Sequence, residues 1–130
     1  MATNRLTNAV IAMTFALTLN ACGGDDPPNA PSNSGNIAAT ITITASGLSP
    51  ASVTVPAGSR VTFQNNDSRG HGPASNPHPT HGSCPPLDLI GTIPAGSSRT
   101  SGNLNTPGVC GYHDHDTDAD PRYNGTITVQ

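Results

Sequence analysis

Arg60-Val61-Thr62-Phe63-Gln64-Asn65 alternates apolar Val61 and Phe63 with polar neighbours, the two-residue period of a strand that buries one face. Pro56-Ala57-Gly58 punctuates the chain just before it, and Asn65-Asn66-Asp67 turns it just after. Working outward, Ser52-Val53-Thr54-Val55 is a short strand, and Gly47-Leu48-Ser49-Pro50 is the turn ahead of it. Ile37 to Thr44 alternates apolar residues with Thr through its second half, a half-buried strand. Downstream, Asn66 to Pro86 has no periodic apolar pattern and is expected to be a long loop. Leu87 to Ile93 reads as a short strand ended by Pro94-Ala95-Gly96, and Ser98 to Leu104 as a polar edge strand. Gly108 to His115 and Gly125 to Val129 complete the set. No stretch carries a helical period. Short strands with turn signals every ~8–12 residues indicate an all-β sandwich or barrel.

Ahead of this pattern the composition changes. Residues 1–21 read as a secretory signal peptide: Arg5 supplies the positive start, Ala9 to Leu19 is apolar, and Ala21 is a small residue before Cys22. The apolar run is too short for a permanent bilayer span. Leu19-Asn20-Ala21-Cys22 resembles a bacterial lipoprotein cleavage motif, whose cysteine becomes the lipidated first residue. Residues 22–35 are Gly, Pro, Asn, Ser and Asp with almost no apolar side chain, a composition that cannot offset its own ordering entropy. They are expected to be a lipid-anchored flexible linker. The expected location is therefore periplasmic or cell-surface, with the membrane as a partner through Cys22. The folded domain is expected over residues 36–130.

That domain has little ring material, with only Phe63, Tyr112 and Tyr123 and no Trp, so Val, Ile and Leu must fill its core. The chain contains no Lys and no Glu, and after the signal Arg60, Arg69, Arg99 and Arg122 face eight Asp. This mildly acidic balance argues against nucleic acid as a partner. With Cys22 assigned to lipid, Cys84 and Cys110 remain, and in an oxidising compartment they are expected to form a disulfide. The competing reading makes either sulfur a metal thiolate.

The ordered pieces together resemble the cupredoxin family of plastocyanin-like copper proteins. They are Gly47 to Pro50, Pro56-Ala57-Gly58-Ser59-Arg60-Val61-Thr62-Phe63, Asn65-Asn66-Asp67 followed by His71, Ile93 to Ser97, Gly108 to Tyr112, and Gly125 to Val129. The resemblance implies a Greek-key β-sandwich and a first copper ligand at His71. It also implies a Cys, a His and often a Met after the penultimate strand, near Asp114, Thr117 and Tyr123. Here the chain departs from the pattern: no Cys or Met lies between Gly111 and Gln130. The Cys–copper bond of a blue centre is therefore not expected.

All five histidines fall in two clusters, His71 with His78 and His81, and His113 with His115. Imidazoles without thiolate suit Cu(II), Zn(II) or Ni(II), with copper the tightest binder. His113 and His115, two apart on a strand, share a face and can grip one ion. The expected ligands are His71, His113 and His115, then His81, then His78, with Asp114 and Asp116 holding ring tautomers. A Cys84–Cys110 bridge would tie the two clusters together. Copper, with zinc as alternative, is the expected cofactor, and metal handling the expected role. A redox or copper-delivery protein is the expected partner. Electron transfer, a copper enzyme of the superoxide dismutase kind, and a metal-free structural sandwich are the competing readings. The alternating Asp114, Asp116, Asp118 and Asp120 lack the Gly and Glu of a calcium loop, and a solvated acidic turn is expected there.

Overall fold

A computed structural model describes residues 36–130, and the expected signal peptide, Cys22 and the expected linker lie outside the described residues. Eight strands form two four-stranded sheets. They are β1 (Ile37–Thr44), β2 (Gly47–Ser49), β3 (Ser52–Val55), β4 (Arg60–Asn65), β5 (Pro73–Ser75), β6 (Ser98–Thr100), β7 (Gly108–Asp114) and β8 (Gly125–Val129). One sheet has the order β2-β1-β4-β6 and the other β3-β8-β7-β5. From β2 to β7 each successive strand changes sheet, the crossing expected of a Greek-key sandwich. The β1–β4 and β3–β8 pairs are parallel and the remaining pairs antiparallel.

The alternation in β4 does what its sequence dictates. Val61 and Phe63 are fully buried while Thr62 and Gln64 are only partly so. Phe63 meets Tyr112 of β7 edge-to-face, with centroids 5.4 Å apart, so the two sheets are joined through their largest rings. Ile41, Ile43, Val55, Ile127 and Val129 fill the space around them. Gly125 is required by this packing: a Cβ there would clash with the Tyr112 ring.

Three expectations for the middle of the chain are corrected. The stretch after Pro86 is not a strand. Pro85 and Pro86 open a short helix, α1 (Pro85–Asp88), because proline suits the first helical positions, where no N–H is needed. Only Ile93 keeps a strand-like role, bridging His71. The long loop also contains β5, which Pro73 and its short length concealed from periodicity. Ser98 to Leu104 is strand only through Thr100, with Leu104 forming a separate bridge to Ser59.

Cys84 and Cys110 form the expected disulfide, buried between α1 and β7. It closes a loop of 26 residues in a core with few rings. Replacing both cysteines with Ala is expected to lower stability by about 3–4 kcal/mol on the chain-entropy account. Urea unfolding measures this, and an unchanged midpoint would show that the bridge adds nothing beyond the packing.

Candidate metal centre

The second sheet brings the two histidine clusters together. β5 lies antiparallel on β7, with Ala74 opposite His113 and Ser75 opposite Tyr112. The Asn76 N–H extends the pairing by donating to the Gly111 carbonyl at 2.9 Å. Beyond Asn76 the chain runs through Pro77, His78, Pro79 and Thr80 and folds back at His81, whose N–H donates to the Pro77 carbonyl at 2.8 Å. His81 makes that return in the left-handed region, at φ 51°, a conformation with a modest cost for a residue bearing a Cβ. On the other side, β7 ends at Asp114, whose carboxylate accepts from the Asp116 N–H and caps a 3-10 turn over His115–Thr117.

The ring nitrogens that His78, His81, His113 and His115 offer all lie within 4.8 Å of one another. The rings pack at centroid separations of 5.0–5.4 Å. Hydrogen bonds decide which nitrogen each ring presents. The Ser75 carbonyl accepts from Nδ1 of His81 at 2.7 Å, so Nδ1 carries the proton and Nε2 a lone pair. The Asn76 side-chain oxygen stands 2.7 Å from Nδ1 of His113, which fixes the same tautomer there. Nε2 of His113 is then left buried with no hydrogen-bond partner. Nε2 of His81 faces Nδ1 of His115 at 3.1 Å. Two donors at a right angle on an ion bound at ~2.0–2.1 Å stand roughly 3 Å apart, so this spacing suits neighbouring ligands.

Burial first, then the facing His81, His78 and His115, push His113 below the ordinary imidazole range. At neutral pH its ring is uncharged, the state a ligand requires. His78 is exposed and its Nε2 lies 3.5 Å from an Asp118 oxygen. A cleft of about 230 Å³ opens beside His81 and His115, with Thr92 and Asp116 on its walls.

His71 is not part of this group, which corrects the leading expectation. Its ring is 1% exposed and both nitrogens are engaged by carboxylates, Nδ1 with Asp114 at 2.8 Å and Nε2 with Asp67 at 3.0 Å. The Tyr123 ring packs on it at 4.7 Å. The positions that resemble a cupredoxin's first histidine and its thiolate are thus bonded to each other, and both His71 ring nitrogens are occupied by carboxylates. Asp114 meets the ring of His71 rather than a ring of the cluster. Its other partners are the Gly72 N–H, the Thr117 hydroxyl and the Asp116 N–H. Burial pushes the Asp114 carboxyl up, yet the bonds from Thr117, Gly72 and His71 together outweigh it and leave it lowered. Asp116 lies beside the cleft, and the groups that hold the clustered rings are Asn76 and the Ser75 carbonyl. Neither was anticipated from sequence. Asn76, immediately before Pro77, carries a turn signal, and only the pairing with β7 turns it toward His113.

No protein-family model matches the sequence, and no curated protein matches it. Solved structures do resemble the fold. A purple cupredoxin from Nitrosopumilus maritimus is 22% identical, covers 71% of this chain and 99% of its own, and superposes with a TM-score of 0.53. Oxidised plastocyanin from Dryopteris crassirhizoma is 20% identical, with coverages of 70% and 99% and a TM-score of 0.55. An amicyanin variant solved with Cu(I) is 16% identical, with coverages of 73% and 82% and a TM-score of 0.56. The chain has the cupredoxin fold.

The bond to His71, then the Ser68 N–H and the Arg69 guanidinium, hold the Asp67 carboxyl down at about 2. A carboxyl lowered by folding stabilises above its unfolded value of ~3.9, and that contribution disappears as pH falls through the folded value. Stability should therefore fall between about pH 4 and pH 2, and Asp67→Asn should lessen that fall. Urea midpoints across this range for both proteins test the point; parallel profiles would refute it.

Proposed function

We propose that residues 36–130 bind one copper ion through His78, His81, His113 and His115, as a site without thiolate that serves metal handling. The observation that carries this reading is Nε2 of His113, buried and unpartnered among three other imidazoles. A buried nitrogen without a partner costs about 1–3 kcal/mol, and an ion among these rings would remove that cost. The donor set suits copper chemically: neutral imidazoles bind Cu(II) ahead of zinc and nickel, with zinc the nearest competitor. The cupredoxin fold, shared with an amicyanin variant solved with Cu(I), supports the same metal. A copper ion held here supplies a one-electron couple. The protein's own part is to fix the tautomers of His81 and His113 and to keep His113 dry.

The site is non-blue on this reading because Cys84 and Cys110 are joined to each other and neither sulfur is left as a thiolate. That also weighs against electron transfer of the blue-copper kind, which uses thiolate ligation to tune its potential. Residues 1–21 and Cys22 are read as the signal and lipid anchor that carry the domain to the periplasm or the cell surface. A second reading, a copper oxidoreductase, is favoured by the cleft beside His81 and His115, which would leave one side of an ion approachable. A dismutation assay on copper-loaded protein separates the two readings.

Titration with Cu(II) should give one equivalent bound, a pale visible spectrum, and an electron paramagnetic resonance signal with three or four nitrogens. His113→Ala should lower affinity by at least about a hundredfold, as expected when a ligand that is also buried is lost. His71→Ala should lower thermal stability and leave the stoichiometry unchanged. An intense blue band, or copper binding that survives His113→Ala and fails in His71→Ala, would overturn the assignment.

A further inference from the structure

We infer that Asp88 is the positioning residue of the imidazole site, acting on His81 through Ser75 and Gly82. The inference rests on the metal-binding reading above and identifies what holds one of its rings. β5 is an edge strand, and an edge strand presents unpaired N–H and C=O groups on its outer side. At Ser75 both outward groups are taken. The Asp88 carboxylate accepts from the Ser75 N–H at 2.7 Å, and the Ser75 carbonyl accepts from Nδ1 of His81 at 2.7 Å. The two caps of this peptide edge are thus a carboxylate and a ligand-bearing ring. The other Asp88 oxygen accepts from the Ser75 hydroxyl at 2.9 Å and from the Gly82 N–H at 3.1 Å.

Asp88 therefore holds His81 from both sides: the strand that supplies the acceptor for its ring, and the residue that follows it. Gly82, at φ 92°, and His81, at φ 51°, form a left-handed pair whose return toward β5 these bonds secure. The carboxylate itself is rigidly mounted. Leu87 beside it is fully buried, and Cys84 at the start of the same helix is bonded to β7. Three donors converge on Asp88, and a carboxylate offers only acceptors. Asn in its place would turn an NH2 group toward one of them. Ser75 is itself completely buried, so a donor facing a donor there has no water to relieve it.

The test uses Asp88→Asn in the full chain with Cu(II) as the probe. In metal-free wild-type protein, long-range proton–nitrogen correlation spectra should show His81 as the Nδ1–H tautomer. In Asp88→Asn the two tautomers should mix, while the rest of the spectrum keeps its dispersion. Cu(II) affinity should fall about tenfold or more, as expected when an outer hydrogen-bond partner of a ligand is lost. The loss should not add to that of His81→Ala, because both act through one ring. Should Asp88→Asn fail to fold, Ser75→Ala removes one of the three donors, together with the hydroxyl oxygen that also accepts from the Gly82 N–H at 3.0 Å, and should give a change in the same direction. A His81 tautomer and copper affinity unchanged in the variant that folds, or losses that add to those of His81→Ala, would overturn the inference. Wild-type protein that binds no copper would overturn the metal reading, and this inference with it.

Discussion

The pairing of β5 with β7 is the contact on which the imidazole cluster depends. Ala74 opposite His113 fixes the register, and the Asn76 N–H on the Gly111 carbonyl carries it one step further. Side chains alternate along a strand, so a slip of one residue would send His113 to the face now held by Asp114 and separate it from Asn76. Pairing alone does not hold the far loop in place. His78 and His81 lie on the return from β5, and the disulfide anchors the end of that return, at Cys84, to β7. Register and covalent closure act on the same two segments from opposite ends.

The same strand serves two polar centres of opposite character. Asp114 belongs to a closed network in which His71, Asp67, Gly72 and Thr117 satisfy one another. Its neighbour His113 belongs to an open one, with a buried nitrogen that has no partner. Buried polar groups that are fully paired fix a structure, whereas an unpaired one costs free energy until something occupies it. The fold thus keeps a sealed histidine–carboxylate cluster where a cupredoxin's ligands would be expected. The unpartnered Nε2 belongs to His113, whose side chain alternates with that of Asp114 to the other face of β7.

Much of this was legible in the sequence. Alternation in Arg60–Asn65 and in Gly125–Val129 identified their strands because each buries one face and wets the other. The disulfide followed from cysteine arithmetic, whereas His113 and His115 do not share a strand face, since β7 ends at Asp114 and His115 joins the cluster from the 3-10 turn. β5 escaped because three residues beginning with proline carry no period. Leu87 to Ile93 was misread because a buried apolar run looks alike in a strand and in a short helix; the two preceding prolines were the better guide. His71 was misjudged for a different reason. A histidine seen in sequence advertises two nitrogens, and only the folded chain reveals that Asp67 and Asp114 have taken both.

Packing four imidazoles against one another has a cost that must be offset elsewhere. Burial disfavours the charged form of His113, but its Nε2 goes unsatisfied. That loss, about 1–3 kcal/mol, is of the same order as what a disulfide closing a loop of this size contributes. Without the bridge, a small core with three rings would have to keep the loop of His78 and His81 against β7 by packing and hydrogen bonds alone. Covalent closure and the Ser75–Asp88 clasp both hold the loop of His78 and His81 in place against β7. A site pre-formed in this way loses little entropy when it is filled. A loop that ordered only around its ligand would lose part of its affinity to that ordering.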